Sequence, residues 1–289
     1  MRILILGLCL TLSTIGFTQN KTGYVIYNAK GKKVSYKKML KSLTKNKVTL
    51  FGEYHDNPIS HWLELEVTKD IATTHDIILG AEMIERDNQD ALNLYLVDSI
   101  NQKGFDTTAR LWNNHKTDYK PLVDFAKDSG YQFIATNIPR RYASLVYKKD
   151  FAALDTLPAE EKAWIAPLPI PYEPTLPRYQ AILKMMGEHG SPKLIKAQAM
   201  KDATMAYSIV TALRNQNCDI CDGRFIHYNG SFHSDYYEGI YWYIHQYRPE
   251  TTIGTVATVT QADITTLDKE SIGRADFIIC VDEDMTRTY

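Results

Sequence analysis

The sequence of 289 residues has no excess of charge of either sign. Its 33 Lys and Arg residues are balanced by 34 Asp and Glu residues, and the formal net charge is −1. A surface that follows the phosphates of a nucleic acid needs a dense group of basic side chains. The sequence contains no such group, so we expect no nucleic-acid partner.

Long hydrophobic runs are also missing. One basic residue precedes an apolar stretch at residues 3–10, which is too short to cross a bilayer. With the small residues Gly16 and Thr18 that follow, this is the pattern of a secretory signal peptide cleaved near Gln19. We therefore expect residues 1–19 to be a signal peptide, and the chain to be exported to the periplasm or the cell envelope.

Cysteine is scarce, with four residues in the whole chain. Cys9 lies in the predicted signal peptide, where Leu8 takes the place of the small residue that a lipid-attachment motif requires, so we expect no lipid anchor. Cys218 and Cys221 are placed for a short structural disulfide in an exported protein. The alternatives are a redox pair or half of a zinc site, although no second pair completes a site of four cysteines. Cys280 lies in an apolar run and is predicted to be a buried thiol.

Short apolar, β-branched runs alternate with amphipathic segments along most of the chain, which is typical of βα units around a mostly parallel sheet. We predict one α/β domain over residues 20–289, with helices on both faces of the sheet. The predicted strands are 48–52, 77–82, 132–137, 224–230, 253–259 and 277–281, with an edge element at 24–35 that turns at Gly31. The predicted helices are 59–74, 88–100, 119–129, 140–149, 193–214 and 234–246.

One segment departs from this pattern. Most of the prolines lie between residues 157 and 192, together with Trp164, Tyr172 and Tyr179. Proline at this density disfavours a regular helix or a central strand, and long irregular segments of compact domains are usually functional or disordered. We predict that the segment belongs to a small helical lid, at about residues 140–195, over the functional site. The alternative is an ordinary surface connection.

Polar side chains follow several predicted strands at the point where each strand ends. Glu53 and His55 follow the first strand after the edge element, Glu82 ends the next, and His233 follows the fourth. Because the carboxyl ends of parallel strands open on one edge of a sheet, we expect these four residues in one pocket. They could bind a divalent metal ion or act as acid and base. For Glu53, the alternative role is to cap the helix that follows.

Two Gly-x-x-His motifs, at residues 52–55 and 230–233, and Glu82 between them resemble the paired motif and glutamate of the Tiki, TraB and erythromycin-esterase superfamily. Within it, the stretches 52–57, 136–142 and 198–206 make the chain most similar to the ChaN-like haem-binding uptake proteins. The resemblance implies an α/β sheet with a helical subdomain, haem as cofactor, and a role in haem and iron uptake.

The same resemblance implies partners. Members of the ChaN-like family are similar to lipoproteins that form homodimers over stacked haems, with a tyrosine as the iron ligand. A homodimer and an outer-membrane haem receptor are therefore expected partners beside haem itself. The absence of a lipid-attachment motif at Cys9 is a departure from that pattern and argues against membrane anchoring.

Haem would need an iron ligand and partners for its propionates. Tyr172 and Tyr179 are the predicted iron ligands, because phenolate is a hard anionic donor suited to ferric iron; the alternative is that both only pack. Arg140 and Arg141 are predicted to pair with propionates, since the helix dipole disfavours basic residues in a first turn. Asn137 ends a strand at the same edge and is predicted to contact the cofactor.

The main alternative function is a metal-dependent hydrolase of esterase or peptidase type that uses the four strand-end residues. A third is a module that binds another flat amphipathic ligand. No serine in a G-x-S-x-G setting and no phosphate-binding glycine loop is present. Gln198 and Asp202 share one face of a predicted helix and either point into the cleft or only meet solvent.

Overall fold

The computed structural model describes residues 21–215 and 223–289. The predicted signal peptide lies outside the described residues, and so do Cys218 and Cys221. Cys280 is a free, buried thiol, as predicted. Within residues 21–215 and 223–289, every helix is too short or too polar to cross a membrane.

Seven strands of the described residues form one sheet. They are β1 (Tyr24–Asn28), β2 (Val48–Glu53), β3 (Ile77–Glu85), β4 (Gln132–Asn137), β5 (Arg224–Gly230), β6 (Ile253–Gln261) and β7 (Phe277–Asp282). Their order across the sheet is β1-β7-β6-β2-β5-β3-β4. Only β1 runs antiparallel to its neighbour, and it forms the predicted edge element with the turn at Gly31. The mostly parallel sheet is confirmed.

Helices cover both faces of the sheet. They are α1 (Tyr36–Leu43), α2 (Pro58–Ala72), α3 (Gln89–Leu96), α4 (Gln102–Thr108), α5 (Lys120–Ser129), α6 (Arg140–Lys149), α7 (Ala159–Lys162), α8 (Pro177–Met186), α9 (Pro192–Arg214) and α10 (Ile240–Tyr247). Residues of α1 to α5 form one apolar core with the sheet, and residues of α6, α8, α9 and α10 form another. Because both faces are covered, the central strands are apolar on both sides and buried almost throughout.

The structure corrects two expectations about helices. The proline-rich segment contains α8, which begins at Pro177, because proline is tolerated in the first turn of a helix, where its missing N–H has no intrahelical partner. The helix predicted over 234–246 begins only at Ile240. Before it, Tyr236 and Tyr237 have φ of 58° and 63°, a conformation that a helix cannot contain.

Phe225 of β5 lies directly over β3, where only a glycine fits. A Cβ added to Gly80 would lie 2.6 Å from Cζ of Phe225, and Phe225 itself is fully buried. We expect Phe225→Ala to lower the free energy of unfolding by about 3–5 kcal/mol, because it leaves a cavity in the core between the sheet and the helices on this face. Urea unfolding followed by circular dichroism measures this loss.

The matched control is Trp62→Ala, since Trp62 of α2 is 49% exposed. It should cost no more than about 1 kcal/mol, as for most surface substitutions. Equal losses for the two variants would contradict the assignment of Phe225 to the core.

Candidate functional site

A pocket of about 970 Å³ opens at the carboxyl edge of the central strands. Glu53, His55, Glu82 and His233 all line it. Glu53 ends β2, Glu82 follows the last residue of β3 that pairs with β5, and His233 lies in the turn after β5. The structure thus brings together the four side chains that the strand ends predicted.

Glu53 and His55 form the first charged pair of the pocket floor. Nδ1 of His55 lies 2.6 Å from Oε1 of Glu53, and the Tyr119 hydroxyl donates to the same oxygen at 2.8 Å. Burial raises the pKa of Glu53, but hydrogen bonds from His55 and His61 outweigh it and lower this pKa to about 2. Burial lowers the pKa of His55, but its bond to Glu53 and the charge of Glu82 raise it above the usual value. The contact therefore favours the ionised form of Glu53 and the protonated form of His55.

The helix after β2 does not use Glu53 as its cap. The side chain of Asn57 caps α2 instead, and its Oδ1 accepts a hydrogen bond from the backbone N–H of Ser60 at 3.0 Å. The carboxylate of Glu53 pairs instead with two histidines, His55 and His61.

Glu82 and His233 form the second charged pair. Nε2 of His233 lies 3.0 Å from Oε1 of Glu82, and the backbone N–H of Gly230 donates to Oε2 at 2.8 Å. Burial lowers the pKa of His233, but the charges of Glu82 and Asp202 outweigh it and raise this pKa to about 10. A Cβ on Gly230 would lie 2.8 Å from Nε2 of His55. The second motif therefore needs glycine, because the histidine of the first motif packs against it.

Asp202 and Gln198 of α9 support His233 from behind. Oδ1 of Asp202 is hydrogen-bonded to Nδ1 of His233, and Gln198 Nε2 lies 3.0 Å from the same nitrogen. The Tyr179 hydroxyl donates to Oδ2 of Asp202 at 2.8 Å. Both α9 residues therefore face the site. His233 is held between two carboxylates, Glu82 on one side and Asp202 on the other.

The other residues predicted from the sequence divide into two groups. Asn137 and Arg140 line the pocket. Arg141 does not: it pairs with Asp87 and bonds to the Tyr142 hydroxyl. Tyr172 and Tyr179 also lie outside the lining, because Tyr172 packs edge-on against Phe151 and Tyr179 is buried against Asp202. These three residues contribute to packing around the helical side of the pocket.

Sequence reasoning missed several residues that α6 and α9 present to the pocket. Ser144, Tyr147 and Lys148 of α6 line it, and so does Lys201 of α9. The three α6 residues follow the predicted Arg140 at i+4, i+7 and i+8, so they share one helix face with it. That spacing in the predicted helix 140–149 was the available signal.

The chain is similar to one known protein family and to several solved structures. A family model described as "Haem-binding uptake, Tiki superfamily, ChaN" matches residues 39–244. No curated protein matches the sequence. The structure of ChaN of Campylobacter jejuni with cofacially bound haem has a TM-score of 0.65 and 17% identity, covering 89% of this chain and 96% of that one.

Two further solved structures share the fold. A succinoglycan biosynthesis protein has a TM-score of 0.54 and 10% identity, covering 92% of this chain and 96% of that one. A mutant of the erythromycin esterase EreC has a TM-score of 0.51 and 9% identity, covering 90% of this chain and 97% of that one. At these identities the likeness concerns the fold alone.

The buried pairing of His233 predicts a pH-dependent stability. We expect His233→Gln to lower the free energy of unfolding by about 3–5 kcal/mol below pH 6.5, because it leaves Glu82 and Asp202 buried without a cation. The folded-state pKa of about 10 lies above the usual 6.5. The stabilisation is therefore complete below pH 6.5 and is lost as the pH rises from 6.5 to 10. Urea unfolding of both proteins across this range measures the difference.

His189→Gln provides the control, since His189 is exposed in the turn after α8. Its unfolding free energy should follow that of the unmodified protein at every pH. A difference between His233→Gln and the unmodified protein that stays constant from pH 6.5 to 10 would show that His233 is uncharged in the fold.

Proposed function

Because this chain belongs to the ChaN family of haem-binding uptake proteins in the Tiki superfamily, we propose that it binds haem in the pocket above Glu82 and His233. We further propose that it is exported and takes part in haem or iron uptake. The observation that carries the proposal is the chemistry of the pocket wall, which suits a flat apolar ring with anionic groups at one edge.

The size and apolar lining of the pocket support a large flat ligand. Its volume of about 970 Å³ lies at the upper end of the roughly 300–1,000 Å³ that small-molecule sites occupy. Several exposed hydrophobic side chains also line it. Tyr147, Met185, Phe232 and Tyr289 are each more than a third exposed, and all four line the pocket. A porphyrin ring, or a second chain that covers it, would remove this surface from water.

Three cations on the helical wall support the binding of an anionic edge. Arg140, Lys148 and Lys201 line the pocket. Among the described residues, none of the three has a carboxylate within ion-pair distance. A haem propionate would supply the missing partner, and Arg140 can hold it through two parallel hydrogen bonds.

Tyr147 is the tyrosine best placed to ligate the iron. It lies between Arg140 and Lys148 on the pocket face of α6, and its side chain is 43% exposed. Haem bound here supplies a ferric iron, for which a phenolate is a suitable ligand. Tyr54 also lines the pocket and is the second candidate, whereas Tyr172 lies outside the lining.

The histidines support a binding role better than a hydrolytic one. The shortest side-chain contacts of His55 and His233 are with carboxylates, Glu53 for His55 and Glu82 and Asp202 for His233. Against the effect of burial, the hydrogen bond to Glu53 raises the pKa of His55 above its usual value, and the charges of Glu82 and Asp202 raise the pKa of His233 to about 10, so both contacts favour the protonated imidazole. A general base would need an unprotonated imidazole near neutral pH.

A titration with hemin tests the proposal. The purified protein should show a saturable, shifted Soret band. Tyr147→Phe should weaken binding about tenfold or more, equivalent to about 1.4 kcal/mol, because the iron loses its phenolate. Visible absorption spectra measure both effects.

Tyr172→Phe is the matched control, since Tyr172 lies outside the pocket lining and packs edge-on against Phe151. Its titration should follow that of the unmodified protein. A flat titration of the unmodified protein would rule out haem binding. Loss of the Soret shift in Tyr54→Phe alone would assign the ligand to Tyr54.

A further inference from the structure

His61 of α2 lies beneath the pocket floor, and its side chain is 6% exposed. Nε2 of its ring lies 3.1 Å from the backbone carbonyl oxygen of His55, and 3.6 Å from Oδ2 of Asp118. Both oxygens are acceptors, so Nε2 carries a hydrogen. Nδ1 then faces the opposite side of the ring.

On that side, two buried carboxylates converge on Nδ1. It lies 3.0 Å from Oε2 of Glu53 and 3.4 Å from Oε2 of Glu64. Glu64 is fully buried, and its second oxygen, Oε1, has no hydrogen-bond partner among residues 21–215 and 223–289. One atom from each of the three side chains lies within 4.8 Å of the other two. Two buried carboxylates side by side cannot both remain ionised unless a cation or a proton lies between them.

We propose that Glu53, His61 and Glu64 bind one divalent transition-metal ion of the Zn²⁺ class. Ligand atoms about 2.1 Å from a tetrahedral zinc ion are about 3.4 Å apart, which matches the separations of Nδ1 from the two carboxylates. The contacts of Nε2 also fit. A metal-binding histidine usually donates its other ring N–H to a carbonyl or carboxylate, which fixes the tautomer and the direction of the ring.

This site differs from the set of four predicted from the strand ends and shares only Glu53 with it. In the pocket, His55 Nδ1 is already paired with Glu53, and His233 is paired through both nitrogens. The proposed ion lies under the floor, where Glu64 Oε1 has no hydrogen-bond partner among the described residues and the three ligand atoms converge. It acts on the pocket through Glu53, whose other oxygen holds His55 and Tyr119.

Metal analysis of the full-length protein, purified without chelator and dialysed against Zn²⁺-containing and then metal-free buffer, tests the site. We expect about one zinc ion per chain, as for a single built site. Glu64→Gln should reduce this about tenfold, because the amide keeps the shape of the side chain but cannot supply the anionic ligand. The matched control is Glu66→Gln on the same helix, whose side chain is 39% exposed and pairs with Lys69, and it should retain the zinc.

Thermal unfolding gives a second readout. Zn²⁺ should raise the Tm of the unmodified protein by about 5–10 °C, since a ligand of the folded state stabilises it, and should leave the Tm of Glu64→Gln unchanged. The proposal is overturned if the unmodified protein retains no zinc and its Tm does not shift. Protons, rather than a metal ion, would then balance the charges of Glu53 and Glu64.

His55→Gln locates the ion. His55 is partly exposed, at 32%, and lies on the pocket side of Glu53. Zinc retained in His55→Gln and lost in Glu64→Gln supports the site under the floor. Zinc lost in His55→Gln and retained in Glu64→Gln would overturn this site, because the ion would then be bound in the pocket. A hemin titration of Glu64→Gln tests the two proposals separately. The variant should lose zinc but keep the Soret shift, because that shift depends on residues of the pocket wall and Glu64 is not one of them.

Discussion

Glu53 and Glu82 are almost completely removed from water at the ends of the central strands, and each stays ionised because histidines lie against it. A buried charge without a partner would cost several kcal/mol, so the glutamates and the histidines must fold together. His55 and His61 hold Glu53, and His233 holds Glu82. These contacts join β2, β3, α2 and the turn after β5. The histidines and carboxylates of the pocket floor are therefore paired mainly with one another.

The helical side of the pocket has the opposite character. Arg140 and Lys148 of α6 and Lys201 of α9 bring positive charge to a wall that also carries exposed apolar and tyrosine side chains. Tyr147 lies among them. A floor whose charged groups are paired with one another and a cationic, aromatic wall favour a ligand that is flat, apolar and anionic at one edge. This division connects the fold to the proposed haem site.

The strands and the strand-end residues could be predicted because each depends on local sequence. Apolar, β-branched runs indicate strands, and polar residues at the ends of parallel strands must meet at one edge. The proline-rich segment was harder. Its density of proline suggested an irregular chain, but Pro177 occupies the first turn of α8, a position where proline is tolerated. The helix predicted over 234–246 begins only at Ile240, because Tyr236 and Tyr237 have positive φ angles. Amino-acid composition gives no sign of such angles.

The sequence by itself determined the mostly parallel α/β sheet and the grouping of Glu53, His55, Glu82 and His233, because repeated βα units place the carboxyl ends of the parallel strands at one edge of the sheet. Only the tertiary structure decided which other side chains face the pocket. Tyr179 is buried against α9, and α6 turns Tyr147 toward the cavity, as a result of how the helices pack on the sheet. Contacts between residues far apart in the chain depend on that packing, and sequence spacing carries no record of them.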